Sequence, residues 1–230
     1  MLVWTLAAAQ AATPTPDRPS VSRGGMLVAP HTLELELGAQ WAGASSVPAT
    51  LKYSIAGAVE PRVSANLTGV EAGMPGLLGG AKIRLYDADR TAVALWAGSA
   101  IPVSNGEGYR AELHGLLTTS LSQGIGLQFN GGIDLGGDDD RGMLFLGAPL
   151  VGAVSYAPAG KVSTFAELAG RVGGPGCEDA SCAYGDLIID GGIGFLLTEV
   201  LMIDGGLGWM LRTEQPYAQL GLSANFGSVR

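Results

Sequence analysis

The sequence predicts an all-β protein, a transmembrane antiparallel up-and-down β-barrel of about 12 strands, with 10 strands as the alternative. Hydrophobic residues make up 47% of the 230 residues and charged residues only 15%, whereas a soluble domain carries about a quarter charged residues. After the N-terminus no apolar run approaches the roughly 18 residues of a membrane helix. From residue 31 onward, apolar and polar residues alternate with the period of two that is typical of strands.

The first residues predict export. Leu2 to Ala9 are mostly apolar and lead into Ala9-Gln10-Ala11, a form that signal peptidase accepts. Since no basic residue precedes the apolar stretch, residues 1–11 are interpreted as a signal peptide or its remnant, with an ordinary apolar tail as the alternative. Residues 12–30 are interpreted as an N-terminal linker and residues 31–230 as the barrel.

The alternation is clearest in the first strand, where Leu33, Leu35 and Leu37 oppose Glu34 and Glu36. The predicted strands are 31–41, 49–55, 59–68, 80–86, 91–103, 110–121, 125–135, 143–156, 162–172, 187–197, 201–212 and 217–226. Their lengths suit tilted membrane strands of about 9–11 residues. The facing of 91–103 and 143–156 is ambiguous, and Pro149 favours a bulge.

The connections alternate in length. Short turns fall near 56–58, 87–90, 122–124, 157–160 and 198–200, and the connections between them, at 42–48 for example, are mostly longer. Short periplasmic turns and longer outer loops are typical of outer-membrane barrels, and an even strand count places both termini on one side.

The charged residues of the strands share the polar face, which in a membrane barrel is the lumen. The predicted lumen-facing residues are Glu34, Glu36, Lys52, Glu60, Arg62, Lys82, Arg84, Arg110, Glu112, His114, Asp134, Glu167, Arg171, Asp190, Asp204 and Arg212. Acidic and basic side chains are balanced on this face and can pair, whereas one charge facing lipid costs roughly 2–4 kcal/mol. A soluble barrel or sandwich is the alternative, but this face is poor cover for a water-exposed surface.

No catalytic, metal or cofactor motif stands out. His114 lies two positions from Glu112, and Ser120 is too far along the strand to contact it, so a lumen hydrogen-bond network is favoured over an enzyme. The net charge of -8 argues against nucleic acid. Two strands repeat Asp-Gly-Gly, at Asp190 and Asp204. Glycines facing the lumen either open space for a ligand or permit curvature and close packing, and the second reading is favoured.

Two loop features concern the outside of the barrel. Cys177 and Cys182 predict a small disulfide loop in an oxidising compartment, with two free thiols as the alternative. The run Asp138-Asp139-Asp140 is interpreted as a solvated loop tip, and a divalent-cation site shared with lipopolysaccharide is the less favoured reading.

Several stretches together resemble a known family. They are TLELELGAQW, KYSIAGAVEPRVSANL, GLLGGAKIRLYDADRTAVALWAGSAIPVSNGEG, IIDGGIGFLLTEVLMIDGGLGWML and YAQLGLSANF. These resemble the outer-membrane transporter-like barrels named for the meta-pathway of phenol degradation. The family's acidic residue after Gly in the second outer loop is missing, because this chain has PGLLGG there. The resemblance implies a Gram-negative outer-membrane channel or transporter for small, apolar or aromatic, solutes. A structural barrel with a closed, salt-bridged lumen and no transport is the alternative.

The last strand is similar to the signal read by the barrel assembly machinery. Gln219, Gly221 and the terminal aromatic Phe226 carry this likeness. The expected partners are therefore outer-membrane lipids, lipopolysaccharide, the assembly machinery and a small-molecule solute.

These expectations predict heat-modifiable migration on a gel and recovery in the outer-membrane fraction. A closed barrel that resists detergent migrates differently before and after boiling. Recovery as a soluble periplasmic protein would overturn the membrane barrel.

Overall fold

A computed structural model describes residues 13–17, 22–42, 44–67, 77–88, 90–101, 109–138, 143–173 and 187–227. These residues form strands, turns and irregular segments. None of them belongs to a helix long and apolar enough to cross a membrane. The predicted signal peptide 1–11, Cys177, Cys182, Asp139 and Asp140 lie outside the described residues.

Strand segments follow one another along the chain from residue 33 to residue 226. They are β1 (Leu33–Ala42), β2 (Ala44–Ser46), β3 (Pro48–Tyr53), β4 (Val59–Asn66), β5 (Leu77–Ala88), β6 (Thr91–Ile101), β7 (Arg110–Ser122), β8 (Ile125–Asp138), β9 (Met143–Ala159), β10 (Val162–Gly173), β11 (Ile188–Thr198), β12 (Leu201–Met210) and β13 (Gln215–Phe226). β2 and β3 pair with β1 in one register, so they form a single barrel strand and the barrel has twelve. Most of the predicted connection at 42–48 is therefore strand.

Pairing between the first and last strands closes the sheet. Each strand pairs antiparallel with the next, and β13 pairs with β1 from Leu33↔Phe226 to Trp41↔Ala218. A closed sheet leaves no unpaired strand edge in the bilayer, where no water could satisfy it. The predicted twelve-strand antiparallel barrel is confirmed.

The outward face is an apolar belt. Leu150 and Leu207 near strand centres are 62% and 71% exposed. Aromatic side chains are exposed near both ends of the belt, namely Tyr53, Tyr86, Tyr156 and Phe195 toward the short turns and Trp41, Tyr109 and Trp209 toward the other end. Apolar bands flanked by aromatic girdles are the surface of outer-membrane barrels. Fold and surface together place the chain in a bacterial outer membrane.

The two strands of ambiguous facing follow the same alternation as the others. In β6, Ala94 and Trp96 are buried on the lumen side, and in β9 Leu146 and Leu150 point outward. The β8–β9 ladder keeps its register across Pro149. A bulge at Pro149 is therefore wrong. The ladder loses pairs there, as expected of a residue that has no N–H.

Substitution of Leu150 by arginine tests the lipid-facing belt. We expect Leu150→Arg to lower the free energy of unfolding by about 2–4 kcal/mol, because the charge lies near the bilayer midplane. The matched control is Leu121→Arg, which is 56% exposed at the end of β7 and should cost about 0–1 kcal/mol. Urea unfolding in lipid vesicles measures both, and equal losses would contradict the proposed depth.

Candidate functional site in the lumen

The inward face carries most of the predicted charged residues. Those with buried side chains are Glu34, Glu36, Lys52, Glu60, Arg62, Lys82, Glu112, His114, Asp134, Glu167, Asp190 and Asp204. Such extensive burial is unexpected for the wall of an open channel, since water would reach these side chains. Something other than water therefore covers the wall.

The remaining four predicted residues lie in different places. Arg110 and Arg171 are partly exposed and both donate to Asp134 Oδ2, at 2.7 and 2.6 Å. Arg84 is partly exposed and pairs with Asp87 at the end of β5, 2.6 Å away. Arg212 is exposed in the turn between β12 and β13. Its lumen-facing assignment is wrong because β12 ends at Met210, before the alternation reaches it.

The wall is covered by the chain's own N-terminal part. Residues 13–17 and 22–30, together called the lumen segment, lie within the barrel and contact its inner face. The sequence predicted a linker here. The segment has no periodicity, and only the apolar triplet Met26-Leu27-Val28 sets it apart from an ordinary linker.

Side chains of the wall hydrogen-bond the backbone of the lumen segment. Four wall glutamates accept backbone N–H groups: Glu34 from Thr15 (2.7 Å), Glu36 from Asp17 (3.1 Å), Glu60 from Val28 (2.6 Å) and Glu167 from Ser22 (2.9 Å). Lys82 Nζ donates to two carbonyl oxygens, those of Gly24 at 2.7 Å and Met26 at 3.1 Å. These bonds provide the partners that irregular backbone needs at membrane depth.

The first ion-pair cluster surrounds Asp17. This carboxylate pairs with Arg62 and lies 3.5 Å from Lys52 Nζ and 3.7 Å from Lys82 Nζ. Lys52 also pairs with Glu34 at 2.9 Å and with Glu36, and Arg62 pairs with Glu60 at 2.6 Å. An acid of the lumen segment thus holds together three cations of the wall.

The second cluster surrounds Arg23 of the lumen segment. Its guanidinium bonds Glu112 at 3.0 Å and lies 3.2 Å from His114 Nδ1. His114 Nε2 in turn lies 2.7 Å from Asp134 Oδ1. Arg23 also stacks over Trp96, 4.7 Å from the ring centroid. Both ring nitrogens of His114 therefore have charged neighbours within this network.

A small apolar core joins the lumen segment to β6 and β7. Leu27 is 5% exposed and packs with Ala94, Trp96 and Leu116. Burial of a leucine side chain stabilises by about 1.5–3 kcal/mol. The lumen segment is therefore held by apolar packing as well as by hydrogen bonds and ion pairs.

Aromatic side chains pack against lumen-facing glycines. A Cβ on Gly192 would meet the ring of Phe165, and one on Gly208 would meet the ring of Tyr217. Tyr217 Oη also donates to Asp190. At these positions of the Asp-Gly-Gly strands, the absent side chain makes room for a neighbouring ring, which supports the close-packing reading.

The three residues of the predicted assembly signal lie on β13. Gln219 and Gly221 alternate with Leu220 and Leu222, which face lipid, while Phe226 is 52% exposed at the short-turn end. Recognition by the assembly machinery stays a prediction.

Similar folds occur among solved outer-membrane proteins. The KdgM porin in complex with disordered oligogalacturonate superposes with a TM-score of 0.66 at 8% identity, covering 84% of this chain and 99% of that one. The NanC porin gives 0.65 at 10% identity, covering 84% and 98%. The COG4313 outer membrane channel from Pseudomonas putida F1 gives 0.65 at 12% identity, covering 90% and 100%.

These likenesses show that the chain has the fold of outer-membrane porin and channel barrels. No family model matches the sequence. No curated protein shows significant similarity to it. The resemblance to the meta-pathway family stays a prediction.

Substitution of Lys52 tests the first cluster. We expect Lys52→Met to destabilise the barrel by about 3–5 kcal/mol, because buried carboxylates lose their cation. Lys161→Met, in the exposed turn before β10, is the matched control and should leave stability unchanged. The stability of each variant is measured as the urea concentration at which half of the protein loses its heat-modifiable migration. Equal midpoints for Lys52→Met and Lys161→Met would contradict a structural role for the cluster.

Proposed function

We propose that this chain is an outer-membrane channel for small solutes whose own lumen segment closes it. The observation that carries the proposal is the attachment of the segment. It joins the wall through side-chain bonds and does not pair with any described strand. A barrel of eight strands nearly fills its interior with side chains, whereas twelve strands enclose a wider space.

The bonds of the lumen segment are of a kind that water can replace. Backbone N–H groups bound to carboxylates, such as Val28 to Glu60, exchange for water without breaking the barrel's own ladder. The closed sheet stands independently of the segment, since β1 pairs with both β3 and β13. Displacement of the segment would therefore open the lumen and leave the barrel intact.

The solutes we propose are small and apolar or aromatic, as the family resemblance implies. The buried patch of Trp96 and Leu116 supports this class, because it would face the lumen once Leu27 left it. The names porin and channel on proteins of the same fold support the transport role. One of these was solved with an oligogalacturonate, so passage of a larger solute is a further outcome to test.

A structural barrel without transport is the second candidate function. The buried cluster around Lys52 favours it, because this side chain and that of Glu34 are both 0% exposed. Buried ion pairs are costly to break by removal of one partner. In that case the lumen segment would be a permanent part of the core.

A reversible tether separates the two candidates. A Cβ on Gly24 would lie 3.9 Å from Thr118 Oγ1, so cysteines at both positions come within reach of a disulfide. Gly24→Cys with Thr118→Cys is made in a background with Cys177→Ser and Cys182→Ser. We expect reduced protein to conduct in planar bilayers and to admit solutes to liposomes, and oxidised protein to lose both, because the lumen segment is then fixed.

The single variant Gly24→Cys in the same background is the control, and its conductance should not respond to oxidant. Conductance that persists after mass spectrometry has shown the crosslink would exclude the lumen segment as the gate. Absence of conductance and uptake in reduced and unmodified protein alike would support the structural barrel instead.

A further inference from the structure

We propose that a pocket beside the lumen segment binds a small uncharged molecule with one apolar face and a hydroxyl or carbonyl group. This inference rests on the proposed channel function and deepens it, because it names a class of solute and a place for it. The pocket has a volume of about 240 Å³ and lies between the lumen segment and β8–β12, in the half of the barrel nearer the short turns.

The lining carries no charge among the described residues, in a lumen whose other surfaces are rich in charge. An anion entering here would lose its hydration without gaining a counter-ion, and the buried acids Glu167 and Asp204 next along the same strand faces would repel it. The two ion-pair clusters are built on other parts of the wall, around Lys52 and around Glu112. The described lining of the pocket therefore favours neutral molecules over anions.

One side of the pocket offers hydrogen bonds. Within the described part of the chain, the hydroxyls of Ser155 and Ser163 have no hydrogen-bond partner, and Gln128 uses only its oxygen, which accepts from Ser22 Oγ at 3.2 Å. These groups therefore remain available to a polar edge of a ligand. A few convergent polar groups in a mostly apolar pocket are typical of small-molecule sites.

Much of the remaining lining is apolar. Phe165 and Met202 contribute a ring and a thioether, and Pro14 and Pro16 of the lumen segment close the opposite side. The volume lies below the roughly 300–1,000 Å³ of pockets for drug-sized ligands. It therefore suits a molecule of about one six-membered ring.

Methyl NMR of the intact protein in detergent micelles tests the proposal, with [¹³C]methyl-methionine labelling and cyclohexanol as the probe. The Met202 methyl resonance is assigned as the one that disappears in Met202→Leu. We expect it to shift as cyclohexanol is added and to reach a plateau at high concentration. Met210, near the opposite end of β12, should not move. Cyclohexanecarboxylate has the same ring and a charge, and should not shift Met202.

Two substitutions locate the site. Ser163→Val should raise the Kd for cyclohexanol about fivefold or more, as loss of one hydrogen bond predicts. Thr119→Val on β7, whose hydroxyl bonds Thr91 and which does not line the pocket, is the matched control and should not change it. Ala153→Leu fills the pocket and should abolish the Met202 shift.

Equal shifts with the alcohol and the carboxylate, or equal Kd values for Ser163→Val and Thr119→Val, would overturn the proposed site. Binding is measured at equilibrium and without flux, so it is independent of conduction. A barrel that binds cyclohexanol but never conducts would overturn the channel proposal alone. A barrel that conducts but fails to bind would overturn the pocket alone.

Discussion

A backbone N–H or C=O group in the hydrocarbon of the bilayer, or in a lumen filled by protein, has no water to bind, and the architecture of this protein follows from that constraint. The strands meet it by closing on each other, so that β13 returns to β1. The irregular backbone of the lumen segment finds its hydrogen-bond partners differently, because it binds side chains of the wall. The same constraint thus explains both the regular outer shell and the placement of buried glutamates inside it.

The inner surface is divided by charge. Asp17 and Arg23 of the lumen segment each extend a charge into a wall cluster of mixed sign, and Trp96 lies between the two clusters, with Arg62 5.7 Å from its ring. On the side of β10–β12 the buried charges of the described residues are acids, namely Glu167, Asp190 and Asp204. The lumen segment is therefore held by ion pairs on one side, and on the other by the backbone bond of Ser22 to Glu167 beside the pocket.

The strands were accessible from sequence because a lipid-facing wall enforces a period of two with few exceptions. The facing of the predicted strand 91–103 is ambiguous from sequence because alanines occupy both faces, and the burial of Ala94 and Trp96 shows which face is the lumen. Arg212 was misplaced because an alternation pattern does not reveal where a strand stops. The lumen segment could not be predicted, because its position depends on side chains such as Glu167 that are distant in sequence and carry no local signal.

The order in which the chain acquires its structure follows from these distant contacts. Ser22 binds Glu167 across 145 residues, and Arg23 binds Asn130 across 107. Neighbouring strands pair locally, whereas the lumen segment needs a wall assembled from most of the barrel before it can bind. The lumen segment, although it precedes every strand of the barrel in sequence, is thus the last part to become ordered, and a barrel arrested during assembly would leave it unattached.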